Sequence, residues 1–149
     1  KKILGYRLAR NLDSVHAVNS LQDAIRNTCQ PISGLIHHSD RGIQYCCKEY
    51  TDLLNKNDIS ISMTENGDPL ENPIAERING ILKDEYLNDK INNQCDLNIE
   101  QVSSAIEKYN RLRPHLSCDM LTPEEAHGCQ GNLRRQWKNY YRKRVILEV

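Results

Sequence analysis

An α/β domain is the fold class that the sequence predicts, and three observations predict it. Short alternating or apolar segments and amphipathic segments follow one another in the order strand, helix, strand, helix, strand, with parallel pairing expected between the later strands. One strand ends on a carboxylate, in Leu35-Ile36-His37-His38-Ser39-Asp40-Arg41-Gly42, where a brief apolar run gives way to polar residues and a glycine. A helix opens at Asn72-Pro73-Ile74-Ala75-Glu76, with 35 residues between Asp40 and Glu76. Two carboxylates so placed, one at a strand end and one in a first helical turn, are candidates to share a divalent metal.

The first element is expected over Lys2–Arg10, where Leu4, Tyr6 and Leu8 alternate with Gly5 and Arg7 as in a half-buried strand. A chain that begins at Lys1 inside a strand is expected to have lost something upstream. Asp13 offers an N-cap, and Val15, Val18, Leu21 and Ile25 recur at helical spacing to about Asn27. Pro31 and Gly34 punctuate the turn into the strand that ends at Asp40. Tyr45–Asn57 places Cys46, Tyr50, Leu53 and Leu54 on one helical face. Ile59 and Ile61 alternate with Ser60 and Ser62, so Asp58–Met63 is a short strand. Thr64–Pro69 follows as a loop rich in turn residues, expected as a mobile flap before the Glu76 helix.

The helix from Pro73 to about Leu87 has Asn72 placed to cap and Pro at the first helical position, where its missing N–H is harmless. At about 100° per residue from Asn72, Glu76 falls near 40°, Asn79 near −20°, Lys83 near 20° and Tyr86 near −40°, one polar stripe. Ile74, Ile78, Ile81 and Leu82 form the opposite face, expected to pack on the sheet. A solvated helix face has the same appearance, so the stripe alone does not make a site. Ile99–Tyr109 is a second amphipathic helix, ended by Pro114 in Arg111-Leu112-Arg113-Pro114-His115. Thr122-Pro123-Glu124-Glu125 is a capping box that starts another short helix.

Composition bounds the function classes. At 149 residues the chain suits one domain with a real core. A mean hydropathy of −0.70 and 27% charged residues describe a polar protein with no run long enough to cross a bilayer. No signal peptide is recognisable, which favours the cytoplasm. The 20 basic and 20 acidic side chains cancel, which argues against a uniformly basic nucleic-acid binder. The distribution is uneven. From Asn132 on, six Lys and Arg face only Glu148, a net +5 that leaves the remainder at −5. This tail, with Trp137, Tyr140 and Tyr141 interleaved, could grip phosphate and stack on bases, or be merely solvated. The six cysteines contain no Cys-x-x-Cys pair, so reduced thiols are expected and neither a zinc site nor a disulfide framework.

Five pieces in order carry a resemblance: His38-Ser39-Asp40-Arg41-Gly42-x-Gln44-Tyr45, Ser62-Met63-x-x-x-Gly67, Asn72-x-x-x-Glu76 with Leu82-Lys83 behind it, Tyr109-Asn110-x-x-Arg113-Pro114-His115, and Leu121-Thr122-Pro123-Glu124. Together they resemble the transposases of bacterial insertion sequences, whose catalytic core is similar to retroviral integrases. The resemblance implies a ribonuclease-H-like mixed sheet with flanking helices over residues 1–126, its first two strands missing, and a basic C-terminal tail over 127–149. It implies an Asp, Asp, Glu metal triad in which Asp40 is the second Asp and Glu76 the Glu, the first Asp lying on the absent first strand. Asp13 and Asp23 belong to the following helix and cannot replace it.

The implied chemistry is cleavage of an element's 3′ ends and their joining to target DNA, with water and then a 3′-hydroxyl as nucleophile. Hard cations such as Mg²⁺ or Mn²⁺, held by carboxylates about 3.5–4 Å apart as a pair, suit that reaction. DNA contact by Asn72, Lys83 and Arg41 is implied as well, together with a homo-oligomer on DNA and a bacterial, nucleoid-associated location. With two of three ligands, the chain alone is expected to bind Mg²⁺ weakly and to be inactive. A truncated remnant that binds DNA or intact transposase is the alternative. His37 and His38 either orient Asp40, touch DNA or make ordinary strand-end hydrogen bonds. Arg113 and His115 suit a structural joint at their helix end.

Overall fold

The computed structural model describes residues 1–65, 71–88 and 98–134. The chain forms two compact units, Ile3–Ile106 and a second made of Lys1–Lys2 with the chain from Glu107 on.

In the first unit the elements run α1 (Ser14–Asn27), β1 (Ile36–Ser39), α2 (Ile43–Cys46), α3 (Lys48–Lys56), β2 (Ser60–Met63) and α4 (Pro73–Ile81). α5 (Ile99–Leu112) begins there and continues into the second unit. β1 and β2 pair in parallel, Ile36 opposite Ser60, His37 opposite Ile61, His38 opposite Ser62 and Ser39 opposite Met63. Parallel neighbours require a crossover, and α2 with α3 supplies it. Two further backbone bonds extend the ladder, Ser60 N–H to the Leu35 carbonyl at 2.8 Å and Thr64 N–H to the Ser39 carbonyl at 3.0 Å. At the turn into β1, Gly34 has φ of +76°, a conformation that glycine adopts without a steric penalty, and its N–H donates to the Asp58 carbonyl at 2.9 Å. The parallel pair expected from the two short strands therefore forms.

Leu21, Tyr50, Leu54 and Ile59 make the core beneath the sheet, with Val18, Ile25 and Leu53 around them. Each such side chain, fully buried, contributes about 1.5–3 kcal/mol. α1 contributes Leu21 as its one buried residue, while Val15, expected at core spacing, is exposed. The single helix expected over Tyr45–Asn57 is two. Cys47 takes an extended conformation, ψ of 153°, between α2 and α3 and resets the helical phase. Cys47 rather than Cys46 then packs against the core.

Leu4–Leu8 is not a strand. A strand persists when a neighbour takes its N–H and C=O groups, and here the segment lies against a helix. The Asn27 side-chain amide donates to the Leu4 carbonyl at 2.9 Å, and Arg7 pairs with Asp23 on α1. Gly5 allows that approach, since a Cβ there would sit 2.0 Å from the Ser20 carbonyl oxygen. The alternation of Leu4, Tyr6 and Leu8 thus reports packing on α1.

The helix expected to run to Leu87 also departs from the sequence reading. α4 ends at Ile81, and Leu82–Tyr86 is a π-helical turn closed by Leu87 N–H to the Leu82 carbonyl at 3.0 Å. A π turn advances less than 100° per residue, so the lag is small at Lys83, its second residue, and by Tyr86 is large enough to carry that side chain off the Glu76 stripe. Of the four residues expected to pack on the sheet, Ile81 is buried, Ile78 and Leu82 are half-buried, and Ile74 is exposed.

In the second unit Tyr109 is completely buried, its ring 5.3 Å edge-on from His115, and its hydroxyl donates to the Lys1 carbonyl at 3.2 Å. His115 N–H donates to the Leu121 carbonyl at 3.1 Å, closing the turn that follows α5. α6 (Pro123–Gly128) starts with the expected capping box: Thr122 Oγ1 accepts from Glu125 N–H and the Glu125 carboxylate accepts from Thr122 N–H. Lys2 pairs with Glu124 on this helix at 2.8 Å. Residues 66–69 of the expected flap, and Arg135 onward in the tail with Trp137, Tyr140 and Tyr141, lie outside the described residues.

Candidate active site

β1 delivers Asp40 to the carboxyl end of the parallel pair, and three hydrogen bonds hold it there. Its Oδ1 accepts from Gly42 N–H at 2.8 Å, an Asx turn that leaves Oδ2 to other partners. Thr64 N–H reaches back to the Ser39 carbonyl, and Arg41 Nε donates to the Thr64 carbonyl at 2.7 Å. The residues on either side of Asp40 are therefore tied to the end of β2.

α4 delivers Glu76 in its first turn, where the helix dipole favours a carboxylate. Pro73 occupies the start of the helix as expected. The expected side-chain caps do not form: Asn72 stands at the N-cap with φ of −129° and makes no cap bond, and Asp13 before α1 instead accepts from the Asn11 amide at 2.8 Å. Asn72 has too little of the usual N-cap geometry, with ψ of 48°, to reach the N–H groups of the first turn.

One cleft of about 440 Å³ brings these residues together. Asp40 and Glu76 both line it, with Asn72 and Asn79 beside Glu76, and α1 contributes Ala17, Ser20 and Ala24 to its wall. Arg41 and Lys83 do not line it; both are exposed. Arg41 is engaged with the Thr64 carbonyl, and Lys83 sits in the π turn.

The cleft holds two buried hydroxyls to which the sequence assigns no role, and a histidine, His37, for which it leaves three roles open. Ser39 and Thr64 are 5% and 2% exposed, and their hydroxyl oxygens have no hydrogen-bond partner among the described residues. His37 shares a 2.9 Å hydrogen bond with the Tyr50 hydroxyl. Burial holds the His37 imidazole below the ordinary histidine range and pushes the Tyr50 phenol up, so both are neutral near pH 7. Their signal was present in the register: Ser39 lies opposite the last residue of β2, and Thr64 is the next residue after it.

The integrase core domain family matches the chain twice, over residues 1–69 and over residues 57–123. The chain belongs to the integrase core family. This integrase core is 32% identical to an uncharacterized 31 kDa protein of insertion element IS600 from Shigella sonnei, over 82% of the chain and 45% of that protein. It is 29% identical to the transposase of insertion element IS629 from the same organism, over 83% of the chain and 41% of that protein. The chain thus spans somewhat under half the length of these curated relatives. Among solved structures, it matches a chain of the simian T-cell lymphotropic virus intasome in complex with a PP2A regulatory subunit, B56 gamma. The TM-score is 0.69 at 22% identity, over 85% of this chain and 45% of that one. The HTLV-2 integrase catalytic core in complex with magnesium matches with a TM-score of 0.62 at 18% identity, over 84% of this chain and 75% of that one. The fold is that of retroviral integrase catalytic cores, ribonuclease-H-like.

Proposed function

We propose that this integrase core is part of the catalytic domain of an insertion-sequence transposase, a polynucleotidyl transferase that cleaves the 3′ ends of its element and joins them to target DNA. The observation that carries the reading is the convergence of Asp40 and Glu76, from a strand end and a first helical turn, on one cleft. Similarity to transposases of bacterial insertion sequences supports the same reaction class.

Both carboxylates are exposed and offer hard oxygen donors, the set that Mg²⁺ or Mn²⁺ takes. Among the described residues no group of three His, Cys, Asp or Glu completes a metal cluster. The residues fit the cation in chemistry and supply two ligands. When bound, such a cation neutralises charge at the phosphate and activates the attacking oxygen. Asp40 keeps its orientation through Gly42 N–H, so its second oxygen stays directed without reorganisation. The amides of Asn72 and Asn79 supply hydrogen-bonding groups on the Glu76 side of the cleft for a DNA strand. Lys83 and Arg41, outside the cleft, are assigned to phosphates beyond the reacting one, and assembly as a homo-oligomer on DNA in the bacterial cytoplasm completes the reading. Among the described residues no helix is long and apolar enough to cross a membrane.

Titration of the 149-residue chain with Mn²⁺, followed by electron paramagnetic resonance, tests the pair. Weak binding is expected, falling at least tenfold in both Asp40→Asn and Glu76→Gln. Binding unchanged in either variant overturns the assignment of that residue. Efficient strand transfer by the chain alone overturns the expectation that two carboxylates are insufficient.

A further inference from the structure

His38 links β1, β2 and the approach to α4. Its Nδ1 lies 2.9 Å from Ser62 Oγ, directly across the parallel register, and its Nε2 lies 3.0 Å from the Glu71 carbonyl oxygen. A carbonyl only accepts, so Nε2 carries the proton and donates. The Ser62 hydroxyl can rotate to suit Nδ1. Glu71 is held a second time, since its carboxylate accepts from Glu65 N–H at 2.7 Å. One imidazole on β1 thus fixes the residue immediately before Asn72, and five residues before Glu76.

The start of α4 has Pro73 in place but no side-chain cap. Asn72 makes no side-chain cap bond, and Ile74, which could have anchored the first turn, is 59% exposed. Asp40 needs no such help, because Ser39 before it and Arg41 after it are tied to Thr64 at the end of β2, one by a backbone bond and the other through the Arg41 guanidinium. The separation of the two carboxylates therefore depends on what holds Glu71 to the sheet.

We propose that His38 is a positioning residue that sets the placement of Glu76 relative to Asp40 by clamping the Glu71 carbonyl to the β1–β2 pair. The proposal rests on the reading of Asp40 and Glu76 as the metal ligands. His38 itself contributes no metal bond. It acts through the first turn of α4.

The test uses His38→Ala, His38→Gln and Ser62→Ala in the 149-residue chain, with Mn²⁺ affinity from electron paramagnetic resonance and amide exchange at Glu76 as two readouts. The Gln side chain can place an N–H near the position of Nε2 and so donate to Glu71. Expected are a fivefold to tenfold loss of affinity in His38→Ala with at least threefold faster exchange at the Glu76 amide, which donates to the Asn72 carbonyl. Recovery to within about twofold is expected in His38→Gln, with Ser62→Ala intermediate. Affinity and exchange unchanged in His38→Ala overturn the clamp while leaving the metal reading intact. Faster exchange with unchanged affinity also overturns it, because His38 would then serve stability alone. Binding that ignores Asp40→Asn and Glu76→Gln defeats the metal reading instead, and with it the proposal. If His38→Ala fails to fold, His38→Gln and Ser62→Ala carry the test, and a loss in Ser62→Ala without one in His38→Gln is the expected pattern.

Discussion

The two sides of the cleft are built differently. On the β1 side, Asp40 sits on a strand end whose flanking residues are joined to β2 by Thr64 N–H to Ser39 and Arg41 Nε to Thr64, over a core of Leu21, Tyr50, Leu54 and Ile59. On the α4 side, Glu76 belongs to a nine-residue helix with no side-chain cap, an exposed Ile74 in its first turn and a π turn at its end. Backbone ladders over a packed core hold position with little play, whereas a short helix tethered through side chains yields more readily. In the proposed metal pair, then, Asp40 is the fixed member and Glu76 the adjustable one.

The largest expected effect breaks the fixed side. Leu54 is 1% exposed under the sheet, and Leu54→Ala should lower stability by about 2–5 kcal/mol in urea denaturation, through the cavity it leaves. The matching change on the other side, Ile74→Ala, should stay within about 0.5 kcal/mol, because the side chain is 59% exposed. Comparable losses at the two positions would mean that α4 is as firmly packed as β1, and the contrast would fail.

A smaller effect sharpens the account of the uncapped helix. Thr122 closes a true capping box in the second unit, and Thr122→Ala should weaken the first turn of α6 by about 0.5–2 kcal/mol, read as faster exchange of the Glu125 amide. Asn72 holds the same N-cap position on α4 but makes no cap bond. Asn72→Ala should therefore leave exchange at Ala75 and Glu76 within a factor of two. A loss equal to that at Thr122 would show that Asn72 does cap in solution.

Why only part of this was legible in the sequence follows from the range of each interaction. The end of β1 at Asp40, Pro73 at the start of α4 and the Thr122 box are local signals, written within a few residues, and each forms. Asn98 and Gln101 form a reciprocal cap at the start of α5, with Asn98 Oδ1 accepting from Gln101 N–H at 2.9 Å, a signature equally local and overlooked. The end of α4 at Ile81, short of the expected Leu87, is not legible because a helical wheel presumes a constant 100° step, and no residue type announces a π turn. The alternation over Leu4–Leu8 was real but ambiguous, since it fits a segment lying on α1 as well as a strand. Ser39, Thr64 and the His38–Ser62 pair could not be found locally. They depend on the register that puts Ser39 opposite Met63, a relation across more than twenty residues.

The smallest expected effect concerns the histidine beneath the fixed side. Burial holds His37 below its ordinary range in the folded chain, where it shares a hydrogen bond with Tyr50. Unfolding releases the imidazole to an ordinary value of about 6.5, so near and below that pH the unfolded chain binds the extra proton. Stability from this group is therefore complete above about pH 6.5 and declines as the pH falls through that value toward the folded one. His127 is also held below its ordinary range by burial and by Lys2, and it adds a slope of the same sign. Urea midpoints of the parent chain and of His37→Gln, measured between pH 7.5 and 5.5, separate the two. The parent should lose stability more steeply than the variant, in which the His37 contribution is absent. Equal slopes would mean that His37 stays open to protonation in the folded chain, and that the floor under Asp40 is looser than its hydrogen bonds suggest.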